Sequence, residues 1–399
     1  MKKVVEYITI LFLLSVFPLV ANSQTLTYSD SVEISLLTCT PGEESWSQYG
    51  HTAIRYNDLR NGNDLSINYG LFSLSQSMFI PRFIFGLTDY RVGIESMEEM
   101  LFQYSYEGRG VIEQKLNLSK EEKYQIFTAL RENLRPENVV YRYNFFYDNC
   151  TTRAQHILLD KLKGKTTFYA DTKTALPTYR EMIHEWNKND IWTQFGEDIL
   201  LGVTADLSVA TREQKLFLPD NLRKYIESGL HNGQPLVKST AILLQPNQTL
   251  TEKEYPITPM QVAIIFGFFA TVIVLIEYKQ KKVYWVWDLS LLLIAGMIGL
   301  LLFAMVFSQH PCVSLNMIIF IFNPLCLIFL PKIIKNIRQK KSHWWFGAWG
   351  ISIFIGLLGS FFQRIPLPIL IVALFLLVNC GYHLWLAKFS NTTNERIAI

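Results

Sequence analysis

The residue most suited to chemistry is a cysteine at a predicted helix start. Cys150 follows the polar pair Asp148-Asn149 in the stretch NFFYDNCTTRAQHILLDKL. Apolar residues then recur at helical spacing, so either polar residue is a suitable N-cap and the thiol falls in the first helical turn. The unpaired N–H groups and the dipole of a helix start favour a thiolate and lower its pKa. The position therefore favours a reactive thiol.

A reactive thiol needs a base that takes its proton and later returns it. The histidines that precede the long apolar segments are His51, His156, His184 and His231. His51 is the best candidate, because it opens a predicted strand directly after a glycine, where another segment can approach closely. His156 projects from a different face of the cysteine's helix, His184 falls within a helical apolar pattern, and His231 is predicted to be solvent-exposed in a Gly-flanked loop.

A strand-borne histidine facing a helix-borne cysteine is typical of papain-like thiol sites, but here the histidine comes first, so the arrangement would be permuted. A disulfide between Cys150 and Cys39 is an alternative, because an exported domain meets an oxidising compartment. Against it, Cys39 lies in an apolar strand, where a buried thiol is common. The sequence has no CxxC or HxxxH spacing, so neither a metal site nor a cofactor is predicted.

The elements that must position these residues indicate an α+β domain. Val32–Cys39 is predicted as a strand, and His51–Tyr56 and Leu65–Tyr69 as a β-hairpin around the turn-rich NDLRNGND. Ser119 and Glu122 form a capping box that opens a helix. Residues 235–258 are predicted as a linker or a strand that leads towards the membrane.

The first residues have the form of a secretory signal. Lys2 and Lys3 precede an apolar stretch, Ile8–Val20, and Ala21-Asn22-Ser23 is a small-x-small cleavage site. An uncleaved anchor is the alternative. The formal net charge is only +3 and the sequence has no basic stripe interleaved with aromatic residues, so a nucleic-acid partner is not predicted.

Apolar segments dominate the chain after Pro259. Five of them approach the length that crosses a bilayer, at about 260–276, 285–307, 315–330, 344–362 and 365–386. Lysines and arginines cluster in alternate connections, around 279–282 and 332–341, which by the positive-inside rule are cytoplasmic. The predicted divisions are a signal peptide (1–23), a periplasmic catalytic domain (24–255), a transmembrane domain (256–390) and a cytoplasmic tail (391–399). These features predict a multi-pass protein of the bacterial inner membrane.

Several blocks of the sequence resemble the Lnb-type lipoprotein N-acyltransferases. The blocks are SLLTCTPGEESWSQYGHTAIRY, INYGLF, FGLTDYRVG and ENLRPENVVYRYNFFYDNCTTRAQHIL. The GHTA and FFYDNCTTR blocks are also weakly similar to the permuted papain-like group that includes lecithin:retinol acyltransferase and NlpC/P60 proteins. The resemblance implies a permuted papain-like domain followed by five membrane helices. It also implies Cys150 as nucleophile and His51 as general base.

Other polar residues have weaker signals. A third residue usually orients the histidine in such sites, and Asn68, on the strand paired with that of His51, is the candidate. The alternative for Asn68 is a strand residue that faces solvent. Arg91 and Arg153 are candidates for binding a phosphate headgroup, with surface or ion-pair roles as the alternative. His310, in an outward loop, is assigned an interfacial role rather than catalysis.

The stretch FIPRFIFGL, Phe79–Leu87, is too short to cross a membrane. Its apolar composition is consistent with a core strand or with a surface that dips into the outer leaflet.

These predictions favour an acyltransferase. The acyl donor would be a membrane phospholipid, the intermediate a thioester on Cys150, and the acceptor the α-amino group of a lipoprotein's diacylglyceryl-cysteine. The alternatives are an NlpC/P60-like cell-wall cysteine peptidase and a non-catalytic membrane assembly protein with a degenerate papain-like domain. The oligomeric state is not predicted.

Overall fold

The computed structural model describes residues 26–73, 77–169, 176–209, 211, 213–247, 252–339 and 341–392. The predicted signal peptide and cytoplasmic tail lie outside these ranges, apart from residues 391–392.

An antiparallel seven-stranded sheet forms the centre of the N-terminal domain, in the order β10-β5-β1-β2-β3-β4-β6. Its strands are β1 (Val32–Cys39), β2 (His51–Asp58), β3 (Asn63–Leu71), β4 (Asp89–Ser96), β5 (Val111–Leu116), β6 (Val140–Arg142) and β10 (Val237–Leu244). A small second sheet contains β7 (Thr166–Phe168), β8 (Gly229–His231) and β9 (Gln234–Pro235). The predicted first strand and hairpin are confirmed, and the segment before the membrane forms the edge strand β10.

Helices pack on both faces of the large sheet. The helices of this domain are α1 (Phe79–Ile84), α2 (Met97–Tyr106), α3 (Lys120–Asn133), α4 (Cys150–Leu159), α5 (Tyr179–Asn187), α6 (Ile191–Leu200) and α7 (Pro219–Glu227). Ser119 and Glu122 cap α3 reciprocally, as the capping box predicts. The core forms where apolar residues of α3, α4 and α7 meet those of β1–β4. The predicted α+β class is thereby confirmed.

One local prediction is wrong, and for another segment one of its two alternatives is excluded. His231 is buried, with only 6% of its surface exposed, rather than solvent-exposed. Strand β8 pairs with β7, and the His231 ring contacts the Glu122 carboxylate at 2.8 Å. The apolar stretch Phe79–Leu87 is not a core strand. Its first six residues form the short helix α1, none of them buried, because the chain leaves the sheet after β3 and turns through a left-handed Met78.

The C-terminal domain is helical. Among the described residues, four helices are long and apolar enough to cross a membrane, and one apolar helix is shorter. The helices are α8 (Pro259–Gln280), α9 (Trp285–Val306), α10 (Leu325–Arg338), α11 (Trp345–Leu358) and α12 (Leu367–Thr392). A 3-10 turn, Met317–Phe320, precedes α10, and together they form the third long apolar span, Met317–Arg338, which begins and ends later than predicted. The N-terminal α+β domain followed by five apolar helices matches the predicted fold class.

Two loops on one side of the helical domain, 307–316 and 359–366, contact the N-terminal domain. The Gln363 amide donates to the Leu201 carbonyl at 2.9 Å, and the Asn316 amide donates to Ile199 at 2.7 Å. The backbone N–H of Arg364 donates to Asp206, whose carboxylate also pairs with Arg180 at 2.8 Å. These loops connect α9 to α10 and α11 to α12, the connections that the positive-inside rule assigns to the same side as the N-terminal domain.

Candidate active site

Cys150 is the first residue of α4, and the cap that holds the helix start is Asn149. Its side-chain oxygen accepts the N–H groups of Thr151 and Thr152, both at 2.9 Å, while its amide donates to the carbonyls of Phe145 and Phe217. The other cap candidate, Asp148, instead forms an ion pair with Arg153. Because Asn149 is buried and bonded on both sides, the thiol occupies a fixed position at the positive end of the helix.

His51 is the first residue of β2 and pairs with Cys39 of β1. The preceding Gly50 has a φ of +77°, and a Cβ there would lie 2.6 Å from the Cys39 carbonyl oxygen. The predicted close approach at this glycine is therefore present. Since α4 packs on β2 and β3, the strand carries the imidazole to the thiol at the helix start.

A relay of polar side chains orients the His51 ring. His51 Nε2 lies 3.0 Å from the Asn68 side-chain oxygen, and the Asn68 amide nitrogen donates to Glu95 at 2.7 Å and to Ser66 at 3.1 Å. The Glu95 carboxylate accepts the amide N–H and so holds the Asn68 oxygen towards the ring. An amide oxygen can only accept, so Nε2 carries the proton and Nδ1 is left to face the thiol.

The Cys150 sulfur and the His51 ring form a coupled acid–base pair. Burial raises the pKa of the thiol, but the charge and hydrogen bond of His51, together with the backbone N–H of Thr52, outweigh it and lower the pKa to about 7. Burial lowers the pKa of His51, yet its interactions with Cys150 and Asn68 outweigh burial and raise it. Both directions favour the thiolate–imidazolium pair near neutral pH.

Aromatic residues pack beside the thiol where β3 departs from regular pairing. The register of β3 against β4 shifts between Asn68 and Leu71, and Gly70 within this bulge has a φ of +87°. A Cβ at Gly70 would lie 3.7 Å from the Tyr143 ring and 3.9 Å from Cys150 Cβ. The bulge thus brings the Tyr143 ring and the thiol to the same stretch of backbone.

Cys150 and His51 open into a cavity of about 910 Å³. Its aromatic lining includes Trp46, Phe72, Tyr90, Tyr104, Tyr106, Tyr143 and Phe145. Its charged lining includes Glu43, Glu44, Glu95, Glu107 and Arg109. A cavity of this size holds a substrate much larger than water and offers it both apolar and acidic contacts.

The second thiol of the domain, Cys39, is buried. It is 1% exposed and burial raises its pKa to about 12. Each of the cysteines, Cys39 and Cys150 included, is a free thiol. The disulfide alternative is therefore wrong.

The remaining sequence candidates lie apart from this pair or have other partners. His156 is exposed and pairs with Asp160, and His184 contacts Asp198 at 2.8 Å. Arg153 is held by Asp148 and stacks 3.5 Å above the Tyr141 ring, which is the ion-pair alternative.

The last two candidates from the sequence are Arg91 and His310. Arg91 lies in β4, where it pairs with Leu71 and is exposed. His310 occupies the loop after α9. Within the described ranges, no three His, Cys, Asp or Glu side chains are grouped so that they could hold a metal ion.

Sequence reasoning missed three contributors to the site: Glu95, Thr52 and Tyr143. Glu95 lies in β4 and orients Asn68. The alternating pattern of this strand does not show whether Glu95 faces the site or the solvent. Thr52 directly follows His51, and its backbone N–H reaches the sulfur. Tyr143 would have required knowledge that the segment before Cys150 returns to the end of β3.

This arrangement suits covalent transfer chemistry. A thiolate at a helix start attacks a carbonyl carbon, and an adjacent imidazolium supplies a proton to the leaving group. The order of the two residues along the chain, strand histidine before helix cysteine, is the permuted papain-like order that the sequence predicts.

Comparison with known families assigns both parts of the chain. Residues 22–185 match the model of the Lnb N-terminal periplasmic domain, and residues 251–390 match that of the Lnb transmembrane domain. Neither a curated protein nor a solved structure matches the chain.

Proposed function

Because this chain belongs to the Lnb family and is a multi-pass membrane protein with a periplasmic domain, we propose that it is a thiol-dependent acyltransferase of lipoprotein maturation. It moves an acyl chain from a phospholipid, through a thioester on Cys150, to the N-terminal amine of a lipoprotein's diacylglyceryl-cysteine. The membrane is the bacterial inner membrane. Residues 24–255 form the catalytic domain and 256–390 its transmembrane domain.

The observation that carries this proposal is the site itself. A cysteine with a pKa of about 7 and an oriented histidine open into one cavity with aromatic and acidic walls. Aromatic side chains suit an acyl chain, and the carboxylates of Glu43, Glu44 and Glu107 attract the acceptor's ammonium group, from which one of them can take the proton that must leave before the amine attacks. A site for peptide hydrolysis needs no membrane domain, whereas a lipid substrate explains one.

In the first half-reaction, the Cys150 thiolate attacks the ester carbonyl carbon of the phospholipid. A C–S bond forms, the ester C–O bond breaks, and the protonated Nδ1 of His51 gives its proton to the departing alkoxide. Lysophospholipid leaves as an alcohol and His51 becomes neutral. Asn68 and Glu95 keep the other ring nitrogen protonated throughout, so that only Nδ1 exchanges the proton.

In the second half-reaction, the acceptor amine attacks the thioester carbonyl. The C–N bond forms, the C–S bond breaks, and neutral His51 Nδ1 accepts the proton that the amine loses. The thiolate–imidazolium pair is then restored, and the products together balance one phospholipid and one amine against one lysophospholipid and one amide.

The backbone at the helix start stabilises the oxyanion in both steps. The Asn149 cap uses the N–H groups of Thr151 and Thr152, so the N–H of Cys150 remains outside the cap, next to the reacting carbonyl. The aromatic wall limits access of water to the thioester, which favours transfer over hydrolysis.

Mass spectrometry of lipoprotein N-termini tests this proposal. In cells whose only copy carries Cys150→Ser, we expect lipoproteins to keep a free α-amino group, while cells with the wild-type chain acylate it. Unchanged N-acylation in the variant would contradict the proposal. Normal lipoproteins together with altered cell-wall peptides would instead support the peptidase alternative.

A further inference from the structure

Helix α1 presents large apolar side chains to its surroundings. Met78 is 68% exposed, Ile80 70% and Phe83 45%. Ile80 and Phe83 lie three residues apart on this six-residue helix, and Met78 is its N-cap. Contiguous exposed apolar surface of this kind marks a binding surface or a membrane contact.

Helix α1 is bonded to the loop that follows the membrane helix α9. The N–H of Gln309 donates to the Phe85 carbonyl at 2.9 Å, and His310 Nε2 donates to the Phe83 carbonyl at 2.6 Å. A Cβ at Gly86 would lie 2.7 Å from the His310 backbone nitrogen, so only glycine allows this approach. Since Gln309 and His310 directly follow the membrane helix α9, α1 is held at the level where that helix leaves the bilayer.

Aromatic rings continue from α1 to the thiol. Successive ring centroids lie 6.0 Å apart for Phe83–Phe79, 6.4 Å for Phe79–Phe72, 5.2 Å for Phe72–Tyr90 and 4.2 Å for Tyr90–Tyr143. Three of these rings, those of Phe72, Tyr90 and Tyr143, line the cavity that contains Cys150. We call these five rings the aromatic track. It joins α1 to the reactive sulfur.

We propose that α1 is the lipid entrance of the site. The acyl chain of a phospholipid from the periplasmic leaflet passes beside α1 and lies along the aromatic track, with its ester carbonyl at Cys150. This inference rests on the proposed acyl transfer and adds the route and the contacts of the donor. Contact with the acyl chain removes the exposed apolar side chains of α1 from water, which is favourable and stabilises the bound lipid.

A site-specific photocrosslinker tests the contact directly. We would place p-benzoylphenylalanine at position 80, and at position 59 as the matched control, in the full chain reconstituted in phosphatidylethanolamine vesicles. Leu59 is 59% exposed but lies in the β2–β3 turn, roughly 25 Å from His51 along the strand. Mass spectrometry should find phospholipid adducts at position 80 and none at 59. Equal labelling, or capture only of protein or of the lipoprotein acceptor at position 80, would overturn the proposal.

A charge at the entrance tests its role in the reaction. We expect Ile80→Asp to reduce acyl transfer from phospholipid vesicles about tenfold, because a carboxylate at this surface disfavours lipid contact. Leu59→Asp should change the transfer by less than twofold. Both variants should form the Cys150 thioester at the wild-type rate from a short-chain, water-soluble acyl thioester, since that donor does not need the membrane.

The outcomes separate the two proposals. If the wild-type chain transfers no acyl group from phospholipid, the proposed function is wrong. If the wild-type chain transfers it and Ile80→Asp behaves like Leu59→Asp, the function stands and the entrance is wrong.

Discussion

The N-terminal domain contains two thiols whose surroundings differ sharply. Cys39 pairs across the sheet with His51, and Cys150 approaches the same histidine from the helix above. Burial raises the pKa of both thiols. It leaves Cys39 near 12, whereas the hydrogen bond and charge of His51 and the N–H of Thr52 bring Cys150 to about 7.

The comparison shows that nearness to a histidine does not by itself lower the pKa of a cysteine. Cys39 is the strand neighbour of His51, but its side chain points into an apolar cluster with Leu37, Met100 and Val111. Cys150 faces the imidazole nitrogen that Asn68 leaves free. Orientation of the ring and placement at a helix start therefore separate a thiol with a lowered pKa from one that only packs.

The largest expected difference between the two thiols is in catalysis. Cys150→Ala should lower kcat/KM for acyl transfer by about 10⁴-fold or more, because the covalent step is lost. Cys39→Ala should leave the transfer within about threefold and lower the free energy of unfolding by about 1 kcal/mol, since a small buried side chain is truncated. Transfer assays and urea unfolding of the purified variants measure both. Strong loss of transfer in a folded Cys39→Ala protein would break the comparison.

Alkylation as a function of pH tests the cause of the low pKa. The pKa of Cys150 is lowered, so its thiolate is present above about pH 7 and is lost as the pH falls through that value. The iodoacetamide rate of the wild-type protein should follow this inflection. His51→Ala should move the inflection upwards and slow the reaction at pH 7 by at least about tenfold, because burial is then opposed only by the hydrogen bonds of Thr52 and Thr151. An unchanged inflection would show that the helix start alone activates the thiol.

A smaller effect is expected at the positioning residue Asn68. Asn68→Ala should lower kcat about 10- to 100-fold, because the ring loses the acceptor that fixes its tautomer. It should also move the alkylation inflection upwards, which a purely structural defect would not do. Asn63→Ala, on the same strand and bonded only at the surface to Thr27, is the control and should change neither quantity. If both variants behave alike, Asn68 has no positioning role.

Local patterns were sufficient to propose Cys150 and His51 as a pair, but not to identify the residues that surround them. A polar cap before Cys150 and a glycine before His51 are short-range signals, and the structure brings both residues together. Asn68 could be proposed because its strand is the sequence neighbour of β2. Glu95 could not, because its role depends on how β4 joins β3, which no local pattern specifies.

The wrong predictions have the same origin. His231 is flanked by glycine and asparagine, which suggests an exposed loop, yet a strand from more than sixty residues earlier and Glu122 of α3 bury it. Phe79–Leu87 has the length and composition of a core strand, but the segment packs against α9 and contacts the sheet through the ion pair of Arg82 with Asp89. In both cases, the contacts that determine the local structure come from residues distant in sequence.

The joint between the two domains also implies an order of events during synthesis. The described strands all precede residue 245, whereas the loops that bond to Leu201 and Asp206 leave the ribosome only after α9 and α11. N-terminal domains generally fold first. The periplasmic domain should therefore complete its sheet and its thiol site before Asp206 can bond to Arg364 and before α1 can bond to His310. The thiol site is therefore expected to form before the N-terminal domain makes its contacts with the membrane domain.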